Sequence, residues 1–583
     1  MADRSTARSL ADFAIRVPTR HPAAHVGYDA ERHRYRPDYV RPPGWEMELT
    51  AMFPGLDEPP ARPLGKELEG IDDHPPVLPD NVRSYTWTVD EIGGSFSTTV
   101  TRQREMSQPW RVWVMVPRTG SYEVHLSVQT TTGRIENSKV FRIRDSLMVS
   151  IGESMAAGQG NPDVRRVPSA FQAGKCKLTK LALIRHAIAE KYDQWKEELV
   201  DNGGILGKRL AVELEVNEVV SETAEALGEA FVDRVVEFGR LLFGGSSGPR
   251  PRPARWQEPR AYRSYQSGPA RAAYLLESES ETHADRVTFL SFARSGATIG
   301  AGLLGPRTDD DEPVDGWVGN IGEIQEVANT VGDRPIDVLH ISIGGNDVGF
   351  SAALRDLVAG DFPTGVLATP WALVFQADND DDARGNVVDK AEEGLDELRG
   401  LFEPDRSGFP ALAAAVAELR PRQVYINEYP IVLFERMDAA GNPIDGGGCG
   451  IFSGPDLDLS RDDWLEIKKL GTTLNQLIRD VAAANGWILI DGIEEAFAGH
   501  GYCATPDPRR PGGATDRRGS YFVSAEQSCR DQGDFEGTMH PNEHGHEMYA
   551  ERIVAAVAAN AGRRDRWLVP AMHAMTSPRT VLF

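Results

Sequence analysis

The 583-residue chain is 40% hydrophobic and 26% charged, a soluble globular composition at a length that implies two or three domains rather than one. Its formal charge of −24 argues against nucleic acid or an anionic membrane as a partner of the whole surface, because neither phosphate neutralisation nor a polybasic anchor is available. No apolar run reaches the roughly 18 residues of a transmembrane helix.

The N-terminus lacks the apolar core of a Sec signal peptide, so the expected compartment is the cytoplasm, with export by a signal-independent route as the alternative. Residues 1–45 are rich in Pro, Arg and His without periodicity and read as an extended or disordered lead-in. From residue 46 to 146 the pattern has period two: Tyr85, Trp87 and Val89 alternate with threonines, Tyr122 to Val128 alternate with polar residues, and Phe141 and Ile143 with arginines. That pattern predicts an Ig-like antiparallel β-sandwich, acting as a spacer or as a carbohydrate- or surface-binding module.

From residue 147 to about 562 the logic is βα. Apolar runs at 147–151, 287–293, 337–343, 423–430 and 487–491 predict five parallel strands, and Ile467, Leu470, Leu474, Leu477 and Val481 share a helix face. A flavodoxin-like three-layer α/β/α sandwich is the natural closure. Between about 164 and 250 two apolar stripes, Ile184 to Leu199 and Leu227 to Phe238, predict a helical insertion, either a packed hairpin or a lid. Residues 563–583 read as a C-terminal tail.

The first of these runs ends in Gly152-Glu153-Ser154, so a hydroxyl arrives at the carboxyl end of a buried strand, where open α/β sheets place their ligands. One such serine more often caps a helix than performs chemistry. Three later stretches change the weight: Arg294-Ser295-Gly296, Gly344-Gly345-Asn346-Asp347 and His540-Pro541-Asn542. In that order, with Ser154 first, the four stretches resemble the spaced blocks of the SGNH (GDSL-type) serine hydrolases over residues 147 to 560. Arg263-Ser264, after the insertion, resembles the family's usual continuation of its first block.

The resemblance implies Ser154 as nucleophile and His540 as general base, with an oxyanion hole made by the N–H groups of Ser154 and Gly296 and the side-chain amide of Asn346. Those residue types suit the tasks, since glycine lets the backbone approach a substrate and an uncharged amide donates without competing for the proton. No cofactor or metal is expected: His540, His544 and His546 offer a possible ligand set, but Pro541 and Gly545 interrupt a continuous helix and no carboxylate pair stands beside them. Gly244-Gly245-Ser246-Ser247-Gly248 matches the G-x-S-x-G elbow in letters but follows a predicted helix, not a strand, and is set aside. His500 also resembles a family stretch and reads as structural.

Two departures from the family pattern stand out. The aspartate usual before the nucleophile is Glu153, and the position three before the histidine, often an aspartate, is Gly537. The group that orients His540 is therefore expected to be the carbonyl of Gly537 or an adjacent residue, with Asp534 as the runner-up. None of the four cysteines forms a C-x-x-C pair; Cys503 and Cys529 are expected to pair if the protein is exported. The expected activity is hydrolysis of a small-molecule or lipid carboxylic ester through an acyl-enzyme, in the esterase to phospholipase range. The alternatives are a carbohydrate acetyl esterase and a non-catalytic binding protein on a hydrolase scaffold.

Overall fold

The structure, a computed structural model, describes residues 12–21, 27–52, 80–168, 251–307, 320–349, 383–401, 407–432, 435–438, 442–445, 461–502, 504, 519–534 and 536–560. In chain order the strands are β1 (Asp12–Arg16), β2 (Tyr28–Asp29), β3 (Arg34–Tyr35), β4 (Trp45–Met52), β5 (Val82–Glu91), β6 (Ser97–Gln103), β7 (Arg111–Val116), β8 (Gly120–Thr130) and β9 (Arg134–Gly152). Then follow β10 (Ser278–Glu279), β11 (His283–Ser291), β12 (Val338–Ser342), β13 (Val424–Asn427), β14 (Glu435–Met437), β15 (Pro443–Asp445) and β16 (Ile488–Ile490).

Period-two alternation builds the N-terminal part. On β5, Tyr85, Trp87 and Val89 are buried, while Thr86 and Thr88 face outward and meet Thr101 and Thr99 of β6 at 3.1 and 3.3 Å. One antiparallel sheet, β1-β4-β7, faces a second made by β6, β5, β8 and the first half of β9. Between them lie Phe13, Met47, Leu49, Trp87, Val112, Leu126 and Phe141, each contributing about 2 kcal/mol or more by leaving water.

Residues 12–21 and 27–45 correct the expectation of a disordered lead-in. Phe13 and Ile15 alternate as buried residues on β1, which pairs with β4 from Asp12 opposite Met52 to Arg16 opposite Glu48. Further on, the Tyr39 hydroxyl donates to the Phe289 carbonyl, and the Tyr35 hydroxyl accepts from Ser291 N at 2.8 Å. The segment covers the outer edge of β11, satisfying backbone groups that an edge strand leaves open. Its Pro, Arg and His content hid two tyrosines, Tyr35 and Tyr39, with a structural task.

The 19-residue strand β9 carries the architecture across the division expected at residue 146. Its first half pairs antiparallel with β8, and its second half pairs parallel with β11 on residues 142–150 and with β12 on residues 148–152. The parallel strands run β16-β13-β12-β9-β11, which in order of appearance is 5-4-3-1-2, the flavodoxin-like arrangement. Leu147, Val149 and Ile151 face one apolar layer with helices Glu323–Val331, Gly408–Leu419 and Arg461–Asn485. Met148 and its neighbours on other strands face the opposite layer, with helices Gly268–Leu276 and Glu543–Asn560. The fold is therefore the expected three-layer α/β/α sandwich.

The crevice of such a sheet opens where the strand order reverses, here between β9 and β12. Ser154 follows the first and Asn346 the second. The body of the helical insertion expected at 164–250, Ser246, the tail at 563–583 and Cys176, Cys449 and Cys503 lie outside the described residues. The insertion's two ends are tied together, with Val164 and Val167 pairing antiparallel to Arg255 and Arg252. Cys529 is disulfide-bonded; Cys503, expected as its partner, is not described. Among the described residues no helix is long and apolar enough to cross a membrane.

Candidate active site

The loop that carries Ser154 begins with a glycine that no other residue can replace. Gly152 has φ of +135°, and a Cβ there would fall 2.0 Å from the Ser342 carbonyl oxygen, to which Glu153 N donates at 3.0 Å. Below it, Gly152 N donates to Glu323 Oε2 at 2.8 Å, and burial pushes that carboxyl up to about 8. Ser154 then opens the short helix Ser154–Ala157 and is buried.

Glu153 is the hub of this end. Its Oε2 accepts from Ser154 Oγ at 2.6 Å and from Met155 N at 3.1 Å, and its Oε1 accepts from Ser342 Oγ and from the Tyr429 hydroxyl, each at 3.1 Å. Burial pushes the carboxyl up and the four donors pull against it. A buried carboxylate without partners costs several kcal/mol, so this degree of satisfaction is what allows it to stay there. The Ser154 hydroxyl is thus given to Glu153 and not to the His540 ring.

The four blocks are bonded to one another. Arg294 N donates to the Gly152 carbonyl at 2.9 Å, and Ser295 Oγ donates to Gln159 Oε1. Asn346 Nδ2 donates to the Ala297 carbonyl at 3.0 Å, and Asp347 Oδ1 accepts from Ile299 N at 2.8 Å. Gln159 Nε2 reaches the Glu536 carbonyl at 2.7 Å, bringing in the loop before His540. Arg263, fully buried, bonds the carbonyls of Phe292 and Ala293, while Ser264 N bonds that of Ala157.

Gly296 turns with φ of +75°, and the Arg307 guanidinium lies against it, donating to the Ser295 carbonyl. Among the described residues no protein acceptor takes the N–H of Ser154 or of Gly296.

His540 is aimed by backbone geometry. Met539, at φ of +65°, holds a left-handed conformation that a side chain rarely adopts, and Val523 brackets the turn by accepting from Met539 N and donating to the His540 carbonyl. His540 Nδ1 lies 3.2 Å from the Thr538 carbonyl, which can only accept, so Nδ1 carries the proton and Nε2 the lone pair. Burial pulls the imidazole down to about 4. Asn542 caps the following helix by accepting from His544 N and Gly545 N, which places Pro541 and the histidine just before it.

Gly537 and Asp534 sit differently. A Cβ on Gly537 would come within 2.6 Å of Gln532 Oε1 and 2.9 Å of Gly160 Cα, and its carbonyl accepts from His540 N at 3.2 Å. No aspartate fits there. Asp534 accepts from Gln532 Nε2, from Glu536 N at 3.0 Å and from the Tyr262 hydroxyl at 3.0 Å. The other two histidines of that stretch have separate partners: His544 faces Glu547, and His546 Nδ1 accepts from Gly268 N. His500 stacks on Tyr521 with 4.0 Å between centroids.

Sequence reasoning missed Tyr429, Ser342 and Gln159. Each bonds a block from outside its motif letters, and the only sequence signal was position: Ser342 and Tyr429 stand at the carboxyl ends of predicted strands.

A family model described as GDSL-like Lipase/Acylhydrolase matches residues 253–548, a little over half of the chain, including Gly296, Asn346 and His540 but beginning after Ser154. Among solved structures, the extracellular lipase of Streptomyces rimosus is 15% identical, with 70% of this chain and 99% of that one covered and a TM-score of 0.35. Phospholipase A1 of Streptomyces albidoflavus NA297 is 14% identical at 70% and 99% coverage and a TM-score of 0.32. An active-site mutant of a family two carbohydrate esterase from Clostridium thermocellum is 9% identical at 82% and 89% coverage and a TM-score of 0.23. No curated protein matches the chain. By the extent of the family match, the chain belongs to the GDSL-like lipase/acylhydrolase family.

Proposed function

We propose that the protein is a serine hydrolase of carboxylic esters, acting through an acyl-enzyme on Ser154. Ser154 Oγ turns from Glu153 toward His540 Nε2, gives up its proton there and attacks the ester carbonyl carbon. The carbonyl oxygen becomes an oxyanion met by the N–H groups of Ser154 and Gly296 and by the Asn346 amide. The imidazolium then returns the proton to the departing alkoxide, and water, deprotonated by the same ring, releases the acid.

The observation that carries this reading is the pair of unused N–H groups, on Ser154 and Gly296, within loops bonded directly to each other and to the loop before His540. Turnover of p-nitrophenyl esters from acetate to palmitate by wild type and Ser154→Ala tests it. Hydrolysis lost in the variant supports the assignment, and full activity there would sink it. Ligand binding without turnover in the wild type would favour the non-catalytic scaffold.

A carbohydrate ester is the second reading for the substrate. It is favoured by Trp113 on the outer face of β7, about half exposed, with the Arg111 guanidinium beside the ring and Glu48 opposite in register. Polysaccharide retention that survives Trp113→Ala would remove that support.

A further inference from the structure

Tyr429 lies two residues beyond β13, outside the four blocks, yet its hydroxyl touches two of them. It donates to Glu153 Oε1 at 3.1 Å and accepts from Gly345 N at 3.1 Å. Its backbone is clamped on both sides by one side chain, since Asn475 Oδ1 accepts from Tyr429 N at 2.9 Å and Asn475 Nδ2 donates to the Tyr429 carbonyl at 3.0 Å. The ring packs so closely on the next loop that a Cβ at Gly345 would fall 3.1 Å from Tyr429 Cε1.

These contacts form one chain: Ser154 Oγ, Glu153 carboxylate, Tyr429 hydroxyl, Gly345 N–H, then Asn346. We propose that Tyr429 is a positioning residue that sets the separation between the nucleophile and the oxyanion amide, an inference resting on the roles of Ser154 and Asn346 proposed above. A misplacement of about 1 Å at such a site costs on the order of 100-fold in rate, so a single hydroxyl bridging the two loops carries weight. The same arrangement accounts for Glu153 standing where an aspartate is usual. Its carboxylate serves Ser154 with one oxygen and Tyr429 with the other, and a side chain shorter by one methylene, about 1.5 Å, cannot keep both.

The test is a double-mutant comparison in steady-state ester hydrolysis, with Ser154→Ala in the same assay. Tyr429→Phe removes only the hydroxyl and keeps the ring. The expected result is a fall in kcat of about 10- to 100-fold with KM within about threefold, and a further loss of less than about threefold when Tyr429→Phe is added to Asn346→Ala. A tyrosine that merely packs would give equal losses in both backgrounds, and that outcome, or wild-type kcat in Tyr429→Phe, overturns the positioning role. Turnover that survives Ser154→Ala overturns the reading of the site, and the inference with it. Should Tyr429→Phe fail to fold, Glu153→Asp carries the same comparison from the other end of the bridge, with the same expected and overturning results.

Discussion

The loop that presents Ser154 is organised around a charge, and the loop that presents His540 around backbone. Glu153 gathers four donors, from Ser154, Met155, Ser342 and Tyr429, and fixes the serine hydroxyl before any substrate arrives. At the other end, the Thr538 carbonyl faces the ring, a left-handed Met539 turns the chain, and Gly537 packs against Gly160 with no room for a side chain. On the roles proposed above, the carboxyl usual beside the histidine of a triad stands here beside the serine. On those roles, attack would break the Ser154–Glu153 hydrogen bond at one end, and at the other the His540 ring meets a backbone carbonyl, not a carboxylate, at Nδ1.

The comparison breaks outright if either end is dispensable. Ser154→Ala and His540→Ala are each expected to lower kcat by about 10⁴-fold or more while leaving the thermal melt near that of wild type, since residues that act as a unit are lost together. Ester turnover and calorimetry on both variants check this, and appreciable activity in His540→Ala would mean that Glu153 itself serves as the base.

Acid pH separates the two ends next. Burial pulls His540 to about 4, so its neutral, proton-accepting form persists to low pH, and kcat/KM should hold down to about pH 4 before falling about tenfold per unit. For stability the sign is the same. The unfolded ring takes its proton near pH 6.5, so between about 6.5 and 4 the unfolded chain binds more protons and stability falls as pH is lowered, with no further loss from this group below 4. His340 and His546, pulled to about 3 by burial, act in the same direction, which makes the rate profile the specific reading. An acid limb centred near 6.5 would show an ordinary, solvated imidazole.

A smaller effect probes the packing that replaces the missing aspartate. Gly537→Ala drives a methyl against Gly160 Cα and Ser528 Oγ, each 2.9 Å from its position. Overpacking of this kind costs about 1–3 kcal/mol and moves the histidine loop, so the melt should fall by several degrees and kcat by roughly 10- to 100-fold. A variant with unchanged melt and rate would show that the loop yields freely.

The sheet was legible because its signal is local. Apolar runs such as 147–151 and 337–343 lie within β9 and around β12, and the alternation at Tyr85, Trp87 and Val89 marks β5. The four motif blocks were legible as letters in order. What the letters did not carry was long-range bonding: Tyr39 reaching Phe289 across 250 residues, Gln159 reaching Glu536 across 377, and Tyr429 reaching Glu153 across 276. Composition misread the first residues for a related reason, because a Pro- and Arg-rich stretch is ordered here by Tyr35 and Tyr39, whose partners lie on β11.

The smallest expected effect decides what holds His540. A general base needs its second nitrogen fixed, and a triad uses a carboxylate for this. Asp534 is the carboxylate expected as the runner-up, but both of its oxygens are engaged: Oδ1 by Gln532 and Glu536 N, Oδ2 by the Tyr262 hydroxyl at 3.0 Å. The His540 Nδ1 proton faces the Thr538 carbonyl at 3.2 Å instead. A carbonyl fixes the tautomer as a carboxylate does, but offers no charge to the imidazolium, so the ring is oriented without being strengthened as a base. Asp534→Asn keeps a side-chain oxygen for Gln532 and Glu536 N, with its amide nitrogen facing the Tyr262 hydroxyl oxygen, and should change kcat by less than about tenfold, whereas neutralising a triad aspartate costs roughly 10⁴-fold. Measured on a variant whose melt matches wild type, a loss near the larger figure would return the histidine to a triad and undo the contrast between the two ends.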